Sequence, residues 1–117
     1  MNLEFWKNRS VFVTGHTGFK GSWLSLWLLN LGVDLFGYAL EPDSRRSLFV
    51  ELDISNRFLH NHYGDIRDFQ ELKRFVQRTR PEVVFHLAAQ PIVRQSYRDP
   101  LGTWATNVQG SLHLLES

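Results

Sequence analysis

Three glycines at a spacing of three residues follow the first hydrophobic run, and they constrain the fold more than any other feature. The run is Ser10–Thr14, and the glycines are Gly15, Gly18 and Gly21. A β-branched, apolar run of this length is typical of a strand that is buried on both faces. Between a strand and a helix, the first glycine permits the turn, the second admits a pyrophosphate, and the third allows close packing. The segment therefore predicts a dinucleotide site at the amino end of the first helix.

Two other interpretations of this segment are a mononucleotide phosphate loop and a tight turn without a ligand. The mononucleotide loop requires Gly-Lys followed by Ser or Thr, but here Lys20 precedes Gly21, which excludes it. The interpretation as a tight turn without a ligand remains an alternative at this point. Lys20 lies in the first helical turn, where a cation is unfavourable unless an anion binds nearby. His16 could face that anion or simply occupy the turn.

The rest of the chain alternates between β-rich runs and helical patterns. We predict strands over residues 10–14, 33–39, 58–63 and 82–87, and helices over 19–31, 48–52, 69–80 and 100–117. The segment between the fourth strand and the last helix is predicted to be a loop. This order indicates an α/β fold, the N-terminal half of a Rossmann-type doubly wound parallel sheet of about four strands. We expect the whole chain, residues 1–117, to be that half-domain, with a C-terminal catalytic and substrate part absent.

Apolar and polar spacings predict how the helices pack and begin. Trp23 and Trp27 share one face of the first helix, so we expect both to bury apolar area against the sheet. Asp68 and Glu71 have the spacing of a capping box at the start of the third helix. The last helix carries one apolar stripe, formed by Leu101, Trp104, Val108, Leu112 and Leu115.

Composition excludes several classes of function. The chain has 13 Lys and Arg against 12 Asp and Glu, no cysteine, and 43% hydrophobic residues. It therefore has no disulfides or thiolate ligands, and no basic excess for nucleic acid. Without a secretory signal or an apolar run of about 20 residues, we expect a soluble, cytoplasmic protein with no membrane partner. His60 and His62 share a strand face, but a third ligand is lacking, so no metal site is predicted.

Four segments together resemble the extended short-chain dehydrogenase/reductase family of sugar-nucleotide epimerases and dehydratases. They are residues 14–21, 64–68, 86–90 and 106–111. The resemblance implies NAD as the cofactor, and NADP is not excluded because the second strand ends without an acidic residue before Glu41. The implied cofactor contacts are Gly15, His16, Thr17, Gly18, Phe19, Lys20, Gly21, Asp65, Ile66, Leu87, Ala88, Ala89, Gln90 and Asn107. The implied substrate contacts are Gln90 and Arg94.

Within the family, segments 16–24 and 88–97 are most similar to the CDP-glucose 4,6-dehydratases. This similarity implies a nucleotide-sugar substrate that is oxidised at C4, loses water across C5 and C6, and receives the hydride at C6. GDP-mannose 4,6-dehydratases, other sugar-nucleotide epimerases or dehydratases, and a non-catalytic dinucleotide-binding fragment are the alternatives. The family's Tyr-x-x-x-Lys does not occur in this chain. We therefore assign no catalytic residue here and expect the chain alone to be inactive.

The resemblance also implies partners and a metabolic setting. In the family the last helix contributes to a dimer interface, so we expect a homodimer through residues 100–117 when the protein is full-length. Nucleotide-sugar metabolism, in particular the biosynthesis of lipopolysaccharide O-antigen, is the implied setting.

Overall fold

A computed structural model describes residues 2–117, which form one parallel four-stranded sheet with helices on both faces. The strands are β1 (Ser10–Thr14), β2 (Asp34–Ala39), β3 (His60–Tyr63) and β4 (Val83–His86), and their spatial order is β3-β2-β1-β4. The chain moves outward from β1 to β3 and then crosses back to place β4 on the other side of β1. Doubly wound sheets bind ligands at such a reversal, outside the carboxyl ends of the strands. The predicted fold class is confirmed.

Within this described part of the chain, six α-helices connect or follow the strands. They are α1 (Phe19–Asn30), α2 (Leu48–Leu52), α3 (Phe69–Thr79), α4 (Val93–Arg98), α5 (Pro100–Trp104) and α6 (Gly110–Glu116). Short 3₁₀ turns occur at Leu3–Trp6 and Ser55–Arg57.

Two differences from the predicted elements lie after β4. The segment predicted as a loop contains α4, a single short helix between Pro91 and Pro100 that has too few residues to show a periodic pattern. The predicted last helix is interrupted, because the π-helical segment Ala105–Gln109 joins α5 to α6. Such π turns insert an extra residue into a helix and are frequent at functional sites.

The strands alternate their side chains between two hydrophobic cores. Val11, Val13 and Leu35 face α1 and α2, whereas Phe12, Phe36 and Tyr38 face α3 and α6. This alternation with period two is what a sheet buried on both faces requires. The sheet is therefore packed from both sides.

The expectation for Trp23 and Trp27 is wrong. Both side chains are exposed, at 51% and 56%, and the buried face of α1 instead carries Gly21, Ser22, Ser25 and Leu28. These mostly small residues let the helix approach the sheet closely, and two indole rings do not fit in that gap. The apolar stripe of the last helix is also exposed, and α6 contacts the core through Gly110 and Leu114.

The predicted capping box is half formed. The Asp68 carboxylate accepts a hydrogen bond from the Glu71 amide at 3.1 Å, as expected of an N-cap. The Glu71 carboxylate does not return to Asp68, because it bonds His62 Nε2 at 2.6 Å instead. Over residues 2–117, no helix has the length and apolar character to cross a membrane.

Candidate functional site

Two of the three glycines after β1 are required by packing. Gly15 has a φ of +76°, and a Cβ there would lie 2.7 Å from the Ala88 amide nitrogen. A Cβ on Gly21 would overlap the Gly15 carbonyl group. Any larger residue at either position would push the glycine loop, residues 15–21, away from β4 or from α1.

Gly18 is different, because packing does not require it to be glycine. Its φ is −76°, it is exposed, and a Cβ there would meet only the Gly15 carbonyl oxygen, at 3.4 Å. Gly18 is also the N-cap of α1, and no side chain among the described residues caps it. The first-turn amides of a helix have no intrahelical partner, and the positive end of the helix dipole lies there. The surface at Gly18 thus has the shape and the donors to accept a pyrophosphate.

The His16 side chain lies under the loop rather than on its exposed surface. It is fully buried against Phe49 and Phe58, with Nε2 bonded to Asn61 Oδ1 at 2.5 Å and Nδ1 buried without a partner among residues 2–117. Burial lowers the pKa of His16 to about 4, although the bond to Asn61 opposes the shift. Of the two interpretations given above for this side chain, the geometry favours a packing role within the turn.

The remaining loop side chains differ in their environment. The Thr17 hydroxyl donates to the Leu40 carbonyl at 2.9 Å and so ties the loop to the end of β2. Phe19 and Lys20 are exposed beside Gly18. Glu41, Arg45 and Arg46, which follow β2, are exposed as well.

Asp65 follows β3 at the carboxyl edge of the sheet. Its carboxylate accepts hydrogen bonds from the backbone amide and the guanidinium of Arg67, the shortest at 2.6 Å. These bonds hold the pKa of Asp65 below its usual range. Its carbonyl accepts a hydrogen bond from the Tyr38 hydroxyl at 3.3 Å. The neighbouring Ile66 is buried against Gly110 of α6.

The loop after β4 is fastened to the end of β1. The Thr14 hydroxyl oxygen accepts hydrogen bonds from the amides of Leu87 and Ala88, each at 3.1 Å, and lies 2.6 Å from His86 Nδ1. His86 Nε2 lies 2.9 Å from the Ser111 hydroxyl. Segment 87–90 is therefore held next to the glycine loop, at the reversal of strand order.

Asn107 of the π-helical segment holds Gln90 through two hydrogen bonds. The Gln90 amide donates to Asn107 Oδ1 at 2.7 Å, and Asn107 Nδ2 donates to the Gln90 carbonyl at 3.1 Å. The Gln90 side chain folds back, where its amide donates to the Ile92 carbonyl and to the Thr103 hydroxyl. The structure thus brings segment 87–90 and Asn107 together through a contact between the Asn107 side chain and the backbone of Gln90.

Arg94 is the predicted substrate contact that lies on α4. It lies exposed on α4, and within residues 2–117 it forms no salt bridge. A surface depression of about 610 Å³ lies elsewhere, beside β4, and its lining includes Val76, Arg80 and Val84. None of the predicted site residues lines this depression.

Several residues that bond the predicted site residues are not themselves among the residues predicted from the sequence. Tyr38, Arg67 and Thr103 bond predicted site residues through their side chains. Their spacing gives no signal for this, because each contact depends on how a strand or helix is placed. Ser111 belongs to a segment that carries the family resemblance, but its partner His86 is 25 residues away.

Comparison with known proteins identifies relatives over almost the whole chain. The profile of the GDP-mannose 4,6 dehydratase family matches residues 12–117. The CDP-glucose 4,6-dehydratase of Salmonella typhimurium is 54% identical over 117 residues, which is 100% of this chain and 32% of that protein. The chain thus spans about a third of the length of the curated relatives it matches.

Solved structures of similar fold include sugar-nucleotide epimerases. The UDP-glucose 4-epimerase of Thermotoga maritima, solved with UDP-glucose, superposes with a TM-score of 0.79 at 33% identity, over 91% of this chain and 32% of that one. The UDP-glucose 4-epimerase of Thermus thermophilus, solved in complex with NAD, gives a TM-score of 0.78 at 31% identity, with the same coverage of both chains.

Proposed function

Because the chain belongs to the GDP-mannose 4,6-dehydratase family, we propose that it forms the dinucleotide-binding part of a nucleotide-sugar 4,6-dehydratase. The single observation that carries the proposal is Gly18, a glycine that the packing of the fold does not require. Gly18 is the N-cap residue of α1 and has no side chain that could bond the first-turn amides. These amides lie at the reversal of strand order, and a bound pyrophosphate would accept their hydrogen bonds.

The other predicted cofactor contacts have roles that follow from their places in the fold. The backbone of the glycine loop would hold the pyrophosphate, and the exposed Phe19 and Lys20 would flank it. Asp65 and Ile66, at the end of β3, would contact the adenine end. Segment 87–90, held by Asn107, would lie under the nicotinamide end. NAD, when bound, supplies the hydride acceptor for C4 of the sugar and the hydride donor for C6.

CDP-glucose is the substrate that we propose for the whole protein, with CDP-4-keto-6-deoxyglucose as the product. The 54% identity to a CDP-glucose 4,6-dehydratase supports this choice over GDP-mannose. Gln90 and Arg94 are the substrate contacts proposed within this chain. Arg94 is exposed and has no salt bridge within residues 2–117, which leaves its guanidinium available to a phosphate.

NAD is the proposed cofactor, and an NAD-bound epimerase among the structural relatives supports it. Arg45 and Arg46 are exposed after β2. Binding of the 2′-phosphate of NADP by these two cations is the alternative to be tested. Calorimetric titration with NAD and with NADP decides between them. We expect NAD to bind more tightly, and a preference for NADP would contradict this assignment.

The activity test uses the whole protein, for which this substrate is proposed, with CDP-glucose and with GDP-mannose. We expect CDP-glucose to be converted to a 4-keto-6-deoxy product, detected by mass spectrometry as the loss of one water, and GDP-mannose to be left unchanged. Conversion of GDP-mannose alone would overturn the substrate assignment. Residues 1–117 on their own should bind NAD but not turn over, because no Tyr-x-x-x-Lys lies among them.

We further propose that the protein acts as a homodimer in the cytoplasm, in the supply of deoxysugars for polysaccharides such as O-antigen. The exposed stripe of Leu101, Trp104, Val108, Leu112 and Leu115 supports the dimer, because exposed apolar rows of this kind mark interfaces. The sugar-nucleotide names of the relatives support the metabolic setting.

A further inference from the structure

A chain of four hydrogen-bonding groups connects β1 to the π-helical segment. It runs from the Thr14 hydroxyl to His86 Nδ1 at 2.6 Å, from His86 Nε2 to the Ser111 hydroxyl at 2.9 Å, and from that hydroxyl to the Asn107 carbonyl at 2.7 Å. We name these groups, on Thr14, His86, Ser111 and Asn107, the histidine clip.

The proton positions in the clip follow from its two ends. At one end the Asn107 carbonyl can only accept, so the single hydroxyl proton of Ser111 must point to it. The Ser111 oxygen therefore accepts from His86, which places a proton on Nε2. At the other end the Thr14 hydroxyl oxygen accepts from the Ala88 amide and shares the Leu87 amide with the Thr14 carbonyl. Because both amides are donors, the acceptor for the hydroxyl proton of Thr14 is His86 Nδ1, which is then unprotonated.

Both ends independently require the same form of His86, a neutral ring with its proton on Nε2. Every donor and acceptor of the clip is then satisfied. Burial lowers the pKa of His86, which also favours the neutral ring. Since a neutral imidazole can place its proton on either nitrogen, this tautomer is fixed by its partners and not by the ring itself.

The clip joins the two segments that carry proposed cofactor contacts. The Thr14 end fixes the amides of Leu87 and Ala88, and the Asn107 end lies on the residue whose side chain holds Gln90. We propose that His86, in its Nε2-protonated form, is a positioning residue that holds the π-helical segment against segment 87–90. This inference rests on the proposed function, because those segments are the proposed nicotinamide side of the site.

The first test is independent of cofactor. In the protein with ¹⁵N-labelled histidine, long-range ¹H–¹⁵N spectra report which ring nitrogen carries the proton, and His86→Gln identifies the signal. We expect a protonated Nε2 and an unprotonated Nδ1 at pH 7. A proton on Nδ1, or averaging between the two tautomers, would overturn the proposal.

The second test links the clip to the site. Ser111→Ala should lower NAD affinity by about five- to tenfold, the cost of one hydrogen bond, and Ser111→Thr should restore it. Ser117→Ala is the matched control, because the Ser117 hydroxyl makes the same bond to the carbonyl four residues earlier, that of His113, at 2.6 Å, and bonds no imidazole nitrogen among residues 2–117. Equal losses in Ser111→Ala and Ser117→Ala would contradict the positioning role. If the unaltered protein binds no NAD, the proposed function fails while the tautomer test still stands.

Discussion

The imidazole ring of His16 covers the α-carbon of Gly37 so closely that a Cβ at Gly37 would lie 2.7 Å from three ring atoms. The glycine loop after β1 is therefore packed directly on the middle of β2. Asn61 of β3 completes the contact by bonding His16 Nε2. One buried side chain of the loop thus reaches across two strands of the sheet.

His16 makes stability depend on pH in mild acid. Its pKa is about 4 in the folded protein and 6.5 in the unfolded chain, so the unfolded state binds more protons between these values. Stability is full above pH 6.5 and falls as the pH is lowered towards 4. The expected loss from this residue between pH 7.5 and 4.5 is about 2 to 3 kcal/mol.

Urea unfolding at several pH values measures this effect. His16→Gln should flatten the pH dependence over that window relative to the unaltered protein, because the glutamine does not titrate. His60→Gln is the control, since His60 is exposed on β3. An unchanged slope in His16→Gln would show that another group controls acid stability.

Gly18 and Gly21 of the loop should respond differently to substitution by alanine. Gly18→Ala should leave the free energy of unfolding within about 0.5 kcal/mol of its original value and lower NAD affinity at least tenfold, because its Cβ would occupy the proposed pyrophosphate position. Gly21→Ala should destabilise the fold itself, because its Cβ overlaps the Gly15 carbonyl. Thermal melts and NAD titration separate the two effects. Unchanged NAD affinity in Gly18→Ala would remove the main support for the dinucleotide site.

Tyr38 should support the adenine end of the site without touching the ligand. Its buried hydroxyl donates to the Asp65 carbonyl, and a Cβ on Gly64 would lie 2.7 Å from that hydroxyl. Burial and nearby carboxylates raise the pKa of Tyr38, so the hydroxyl remains a donor at neutral pH. Tyr38→Phe should weaken binding of NAD and of AMP by about fivefold.

Nicotinamide mononucleotide, which lacks adenine, makes this prediction specific. Its binding should be the same in Tyr38→Phe as in the unaltered protein. Tyr63→Phe is a matched control, because it also removes a tyrosine hydroxyl. That hydroxyl lies on β3, next to β2, and accepts from Asn61 Nδ2 of the same strand rather than bonding Asp65. If Tyr38→Phe weakened the mononucleotide as much as NAD, the effect would be a general loss of structure.

The exposed stripe of the last helix should determine the oligomeric state. Trp104→Glu should convert the dimer to a monomer, measured by sedimentation velocity. Trp27→Glu, on α1, is the control, since the two tryptophans are similarly exposed, at 62% and 56%. A dimer that survives Trp104→Glu, or dissociates only with Trp27→Glu, would place the interface elsewhere.

Local patterns in the sequence determined most of the secondary structure and the place of the glycine loop in the fold. The identities of neighbouring residues predict strand β1, the helix start at Phe19 and the turn between them. This is possible because strand propensity and glycine conformation act over a few residues. The four-strand order then placed the glycine loop at the carboxyl edge of a parallel sheet, as predicted. Helix α4 was missed, because six residues between two prolines carry no periodic signal.

Tertiary structure decided what each side chain does. Hydrophobic spacing predicted that Trp27 is buried, but the sheet accepts the face with Ser22 and Ser25 because only small residues fit the close helix–sheet contact. The histidine clip likewise joins residues that are 72 and 25 positions apart, so no local pattern encodes it. The sequence by itself determined most of the elements and where a dinucleotide is proposed to bind. Only packing between distant segments determined which groups are buried, which are bonded, and which remain open to a ligand.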